Sequence, residues 1–150
     1  MFIIKKATLG DLPQLTELFD QYRTFYHKKS DVQAAENFLK ERMKKGESEI
    51  FVSEENGILT GFTQLYPIFS STRMKRYWLL NDLFVNANHR GKGHSKALME
   101  SAKELCVATN ACGILLETDK TNAIGNQLYP SCGFELYSHA NFYEWTNKEL

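Results

Sequence analysis

The stretch from Leu80 to Ser95 constrains this chain more than any other. Leu80-Asn81-Asp82-Leu83-Phe84-Val85 is apolar and aromatic around a single acid, and reads as part of a central strand over Met74–Asn86. A polar loop holding Gly91 and Gly93 follows. From Lys92 to Asn110 the apolar residues Leu98, Ala102, Leu105 and Ala108 fall at helical period. A strand that passes through a glycine loop into a helix requires a crossover before the chain re-enters the sheet, so the fold class is α/β.

The loop also has chemistry. Glycines at 91 and 93 remove side chains where backbone N–H groups can approach an anion, and a helix N-terminus adds about half a positive charge. Arg90 and Lys92 supply more, which makes the loop a phosphate cradle; a tight turn that simply needs glycine is the plainer reading. Two familiar phosphate loops do not fit. A dinucleotide fingerprint needs a third glycine where Lys96 stands, and no Gly-x-x-x-x-Gly-Lys-Ser/Thr run occurs.

Around this segment the chain reads β-α-α-β-β-β-α-β-α-β-β. Phe2–Lys6 is a short strand, and Thr8-x-x-Asp11 is a capping box ahead of a first helix carrying Leu12, Leu15, Leu18 and Phe19. Ser30-x-x-Gln33 opens a second helix that Gly46 stops. Glu49–Ser53 and Ile58–Tyr66 flank Asn56-Gly57, the strongest short hairpin signal. Gly113–Glu117 is a buried strand and Asn122–Cys132 a helix, with Phe134–Tyr137 and Phe142–Trp145 a closing strand pair. The sheet is therefore expected to be mixed, within a single domain over 1–150.

Composition excludes several classes. Lys plus Arg and Asp plus Glu are 18 each, so the formal charge is zero, which argues against a protein that coats nucleic acid or anionic membranes. No apolar run approaches the ~18 residues of a membrane span, and the apolar residues of the first segment precede its lysines, the reverse of a signal peptide. Cys106, Cys112 and Cys132 form an odd set without a Cys-x-x-Cys pair, which fits a reducing cytoplasm. No Cys or His spacing suggests a metal site. Arg73, Arg76, Arg90 and Lys92 could serve a nucleic-acid-binding module, against which the zero net charge counts.

Two motifs carry a resemblance. Arg90-x-x-Gly93-x-Ser95 resembles the Arg/Gln-x-x-Gly-x-Gly/Ala signature of the GCN5-related N-acetyltransferases (GNAT), with Ser95 in place of Gly or Ala. Downstream, Asn122-x-x-Gly125-x-x-Leu128-Tyr129-x-x-x-Gly133-Phe134 is similar to the family's Asn-x-x-Ala-x-x-Leu-Tyr-x-x-x-Gly-Phe. The two are separated by one helix and one strand, as the family requires. Leu80-x-Asp82-x-Phe84-Val85 looks like the Hpa2 and polyamine-acetyltransferase branch, although Asn81 stands where that branch often has an acid.

The resemblance implies a GNAT fold, a mixed and mostly antiparallel sheet flanked by helices, with a parallel, splayed pair between the fourth and fifth strands. It implies acetyl-CoA as co-substrate, held by Arg90, Gly91, Lys92, Gly93, His94 and Ser95 at the pyrophosphate, by the main chain of Phe84 and Val85 along the pantetheine, and by Asn122 and Tyr129. It implies transfer to a primary amine in a ternary complex, with Tyr129 as general acid and Asp82 or Glu117 as base. A structural ion pair or strand cap is the other account of Asp82, and a satisfied core hydroxyl that of Tyr129. Tyr22, Phe25, Tyr26 and the 66–71 segment either wall the acceptor site or belong to core and hairpin. The expected partners are a small or peptidyl amine and a second copy of the chain, with neither nucleic acid nor membrane. A non-catalytic acyl-CoA sensor with the same fold is the alternative function.

Overall fold

The computed structural model describes residues 1–150 and divides into two compact units, Met1–Glu117 and Thr118–Leu150. The first holds a five-stranded sheet in the order β1-β2-β3-β4-β5, from β1 (Ile3–Lys6), β2 (Glu49–Glu55), β3 (Ile58–Ser70), β4 (Lys75–Val85) and β5 (Ile114–Leu115). Every pairing is antiparallel except β4 with β5, which runs parallel through Trp78–Ile114 and Leu79–Leu115. The mixed α/β sheet with its parallel last pair is the expected one.

Helices α1 (Leu12–Phe25) and α2 (Val32–Lys45) cover one face. Their Leu15, Leu18, Phe19, Ala35 and Leu39 pack with Ile50, Val52, Phe62 and Phe84 in the main core. Leu98, Met99 and Ala102 of α3 (His94–Ala108) are buried outside that cluster. Trp78 on β4 sends its indole N–H to Thr109, the C-cap of α3, at 2.9 Å, so α3 covers the opposite face.

Several local expectations are met for plain reasons. Asn56 and Gly57 take φ of 52° and 78°, the paired positive values that a two-residue hairpin needs. At the first helix the Thr8 N–H donates to Asp11 Oδ2 at 2.9 Å. The second helix differs. Asp31, not Ser30, is its N-cap and accepts from the Ala34 N–H at 3.1 Å, while the Ser30 hydroxyl donates to the buried Asp20 at 2.6 Å. The third helix starts at His94 rather than Lys92, because Gly93 at φ 90° cannot be helical.

Two irregularities matter for the site. Gln64 pairs with Asp82 but Leu65 pairs with Leu80, so Asn81 is an extra residue and β4 is bulged there. The bulge resets the alternation of side chains. Trp78, and Leu80 two residues on, face α3, whereas Asp82 and Phe84 face α1. Strand alternation alone predicts Leu80, Asp82 and Phe84 on one face, and the bulge corrects that expectation. On β3, Ser53 pairs with Gly61 and Glu54 with Leu59, which makes Thr60 a second bulge residue.

In the second unit the one regular element is α4 (Ala123–Ser131). The expected strands Phe134–Tyr137 and Phe142–Trp145 are not formed. Aromatic content favours strands only where a partner ladder exists, and these segments pair with none; Phe142, Tyr143 and Trp145 are exposed. No helix is long and apolar enough to cross a membrane.

Candidate active site

The glycine turn has the form expected of an anion cradle. Gly91 and Gly93 have φ of 75° and 90°, and a Cβ at either would meet nothing within 4 Å, so glycine is needed for the backbone and leaves the space above the turn open. The first helical bond of α3 runs from the Ala97 N–H to Gly93 O at 3.1 Å. The N–H groups of His94, Ser95 and Lys96 therefore have no carbonyl to bond within the helix. These residues fit a pyrophosphate. Lys92 is exposed beside them.

Two cradle side chains have other engagements. Arg90 donates from Nε to Val85 O at 3.0 Å and lays its guanidinium over the Phe25 and Phe84 rings at 5.3 and 5.5 Å. It ties the turn to the end of β4, and it occupies the Val85 carbonyl expected to meet pantetheine. The His94 ring turns inward: only 2% exposed, it stacks on Phe2 at 3.9 Å and meets Thr60 Oγ1 through Nδ1 at 3.0 Å. What His94 can offer a phosphate is its main-chain N–H. Burial holds its imidazole below the usual histidine range.

Asp82 lies deep in the α1 face, 3% exposed. Gln64 Nε2 donates to its Oδ2 at 2.7 Å and Asn81 Nδ2 to its Oδ1 at 3.1 Å, and the Tyr22 hydroxyl, which donates to the Asn81 carbonyl at 3.3 Å, is near enough to favour the ionised form. Burial pushes its proton affinity up, and these donors offset only part of the effect. Tyr66 is close enough that burial and the Asp82 charge raise its phenol to about 12. Tyr22 meets Tyr26 at 5.0 Å and Phe84 at 6.1 Å and packs against the main core. The segment after Tyr66 is not a loop, since β3 continues to Ser70.

Glu117 is not a strand end. The β5 ladder stops at Leu115, and Glu117 is exposed two residues further on. Arg73 and Arg76 lie over Tyr77, Phe69 and Trp78. No group of three His, Cys, Asp or Glu side chains is placed to hold a metal ion.

In the second unit, Asn122 caps α4, accepting from the Gly125 N–H at 3.1 Å and donating to Thr118 at 2.8 Å. A Cβ on Gly125 would collide with that amide, which accounts for glycine where alanine is commoner. The Tyr129-to-Phe134 motif is a helix stop. Phe134 N–H bonds Tyr129 O at 3.0 Å, Gly133 N–H bonds Pro130 O at 3.0 Å, and Gly133 takes φ 90°. That is a Schellman motif, completed by contact of the Tyr129 and Phe134 rings at 6.3 Å.

Residues 12–134 match the profile of the acetyltransferase (GNAT) family. The chain belongs to that family. It is 45% identical over 132 residues to YhfO, an uncharacterised N-acetyltransferase of Bacillus subtilis, covering 88% of this chain and 89% of the relative. A probable acetyltransferase of Haemophilus influenzae is 29% identical over 140 residues, 93% of this chain and 94% of its own. A crystal structure of a probable acetyltransferase superposes with a TM-score of 0.93 at 34% identity, covering 97% of this chain and 98% of that one. The GNAT protein described here is accordingly an acetyltransferase with the fold expected of it, and acetyl-CoA is the co-substrate its family implies.

The sequence reading missed Gln64, Thr60 and the part played by Tyr22 at Asp82. A signal was present for Gln64: a polar side chain inside Phe62-Thr63-Gln64-Leu65-Tyr66, facing a strand with an equally isolated acid.

Proposed function

We propose that this GNAT protein transfers the acetyl group of acetyl-CoA to a primary amine, small or peptidyl, by direct attack in a ternary complex. The observation that carries the reading is the pairing, in one unit, of an open glycine turn at a helix start with a buried carboxyl of raised proton affinity. The turn offers main-chain N–H groups to the pyrophosphate, with Lys92 and Ser95 beside it. Phe84 and Val85, at the end of β4, orient the pantetheine arm; a cofactor amide competes there with Arg90 for the Val85 carbonyl.

An alkyl amine is protonated at neutral pH, with a pKa near ~10, and must lose a proton to react. Asp82 is the acceptor of that proton, and Tyr22, half-buried against its carboxyl, is the group through which it meets the surface. The amine nitrogen forms the C–N bond as the C–S bond breaks. The departing sulfur takes a proton from Tyr129, a role supported by its place in the family motif. Glu117 is the second base candidate, favoured by sequence position alone.

The acceptor is a cationic amine of the kind suggested by likeness to the Hpa2 branch. A streptothricin acetyltransferase of Escherichia coli matches 57 residues at 39% identity, 38% of this chain, which supports a small aminated acceptor. None of Cys106, Cys112 and Cys132 is in a disulfide, which supports a cytoplasmic setting. We propose a homodimer on family resemblance.

Incubation with isotope-labelled acetyl-CoA and a panel of polyamines, aminated antibiotics and lysine peptides tests the reading. Label recovered on an amine by mass spectrometry supports it. Calorimetric acetyl-CoA binding with no labelled amine would replace it with an acyl-CoA sensor.

A further inference from the structure

A line of three polar side chains runs through the interior behind the proposed base. Ser48 Oγ, just ahead of β2, donates to Gln64 Oε1 at 2.9 Å, and Gln64 Nε2 donates to Asp82 Oδ2 at 2.7 Å. Gln64 is 0% exposed. Its NH2 group faces Asp82, the orientation that suits a carboxylate, and its amide oxygen takes the Ser48 hydroxyl. Gln64 and Asp82 are directly opposed in the β3–β4 ladder, one step before the bulge at Asn81. A buried polar side chain with both ends committed has little freedom, and it passes that restriction to its partner.

We propose that Gln64, itself held by Ser48, is a positioning residue that fixes the Asp82 carboxyl for proton transfer. The inference rests on the reading of Asp82 as the base. Gln64 favours the ionised carboxylate by donating to it, and so opposes the burial that favours the protonated form. The ionisable groups that face the same position are Tyr22 from α1, Tyr66 from β3 and, beyond Tyr66, Arg42 from α2. Asn81 adds a neutral donor.

The test uses the full chain in three variants, Gln64→Leu, Ser48→Ala and Asp82→Asn. Carboxyl 13C NMR follows the Asp82 titration, and kcat/KM is measured against pH for whichever amine the panel identifies. In Gln64→Leu, the Asp82 midpoint and the acid limb of kcat/KM are expected to move up together by about one pH unit, with acetyl-CoA affinity unchanged. Ser48→Ala is expected to move both in the same direction by less, and it carries the test should Gln64→Leu fail to fold. A purely structural Gln64 would lower stability and leave both midpoints in place, which overturns the inference. An NMR midpoint that moves while the acid limb does not overturns it too. Reduced turnover in Asp82→Asn with unmoved midpoints removes the Gln64 role alone; wild-type turnover in Asp82→Asn removes the base reading and this inference with it.

Discussion

Thr60 Oγ1 and His94 Nδ1 lie 3.0 Å apart, and this contact joins the bulge in β3 to the first residue of α3. Thr60 also meets the Ser53 hydroxyl at 2.8 Å and donates to Ser53 O at 3.2 Å. The Thr60 hydroxyl thus links the His94 ring to both polar groups of Ser53. The helix start proposed to hold the cofactor phosphate is thereby pinned to the sheet. Thr60→Val keeps the shape but leaves the buried His94 Nδ1 without its hydrogen-bond partner. Chemical denaturation should show a loss of about 1–3 kcal/mol, and calorimetry a several-fold weaker acetyl-CoA affinity. Unchanged values for both would show that the contact does not anchor the cradle.

The same histidine predicts a pH dependence of stability. Burial lowers its proton affinity in the folded state, the nearby Glu55 offsets this in part, and His89, Lys92 and the N-terminal amine reinforce it. Below the ordinary histidine value of about 6.5 the unfolded chain binds a proton that the folded chain does not, so stability falls as pH drops from there. Melting temperature from pH 8 to 5 should decline on the acid side. His94→Gln, which cannot titrate, should flatten that decline.

Asp82 works in the opposite sense. Its folded-state proton affinity is raised, so the folded chain holds a proton that the unfolded chain has released. Stability is therefore lost as pH rises from the unfolded value through the folded one, and at neutral pH the ionised carboxylate is a net cost. Asp82→Asn should melt at or above the wild-type temperature at pH 7. Its turnover should fall by about 10²–10⁴-fold. A variant that is both unstable and inactive would indicate a structural carboxylate instead.

Tyr129 can be separated from the helix stop it belongs to. The Schellman bonds use its carbonyl and its ring packs against Phe134, so Tyr129→Phe preserves both and removes only the hydroxyl. Turnover is expected to fall more than about tenfold, with acetyl-CoA affinity nearly unchanged. Equal turnover in the variant would end the general-acid role.

What was legible in the sequence is what short-range chemistry decides. Asn56-Gly57, Gly93 and Gly133 mark positions of positive φ, and each marks its turn correctly. The two family motifs located the glycine turn and α4. The bulge at Asn81 was not legible, because the extra residue appears only against the register of β3. The inward turn of His94 was equally hidden, since Phe2 and Thr60 are far away in the chain. The aromatic segments after Phe134 read as strands on propensity, which cannot reveal whether an edge is available to pair with.

Direct transfer from acetyl-CoA to an amine is tested most directly by initial rates of thiol release with both substrates varied. A ternary complex predicts release that depends on the amine, equals the acetylated amine formed, and gives intersecting double-reciprocal lines. Parallel lines, or no thiol release with any amine despite measurable acetyl-CoA binding, would contradict the account.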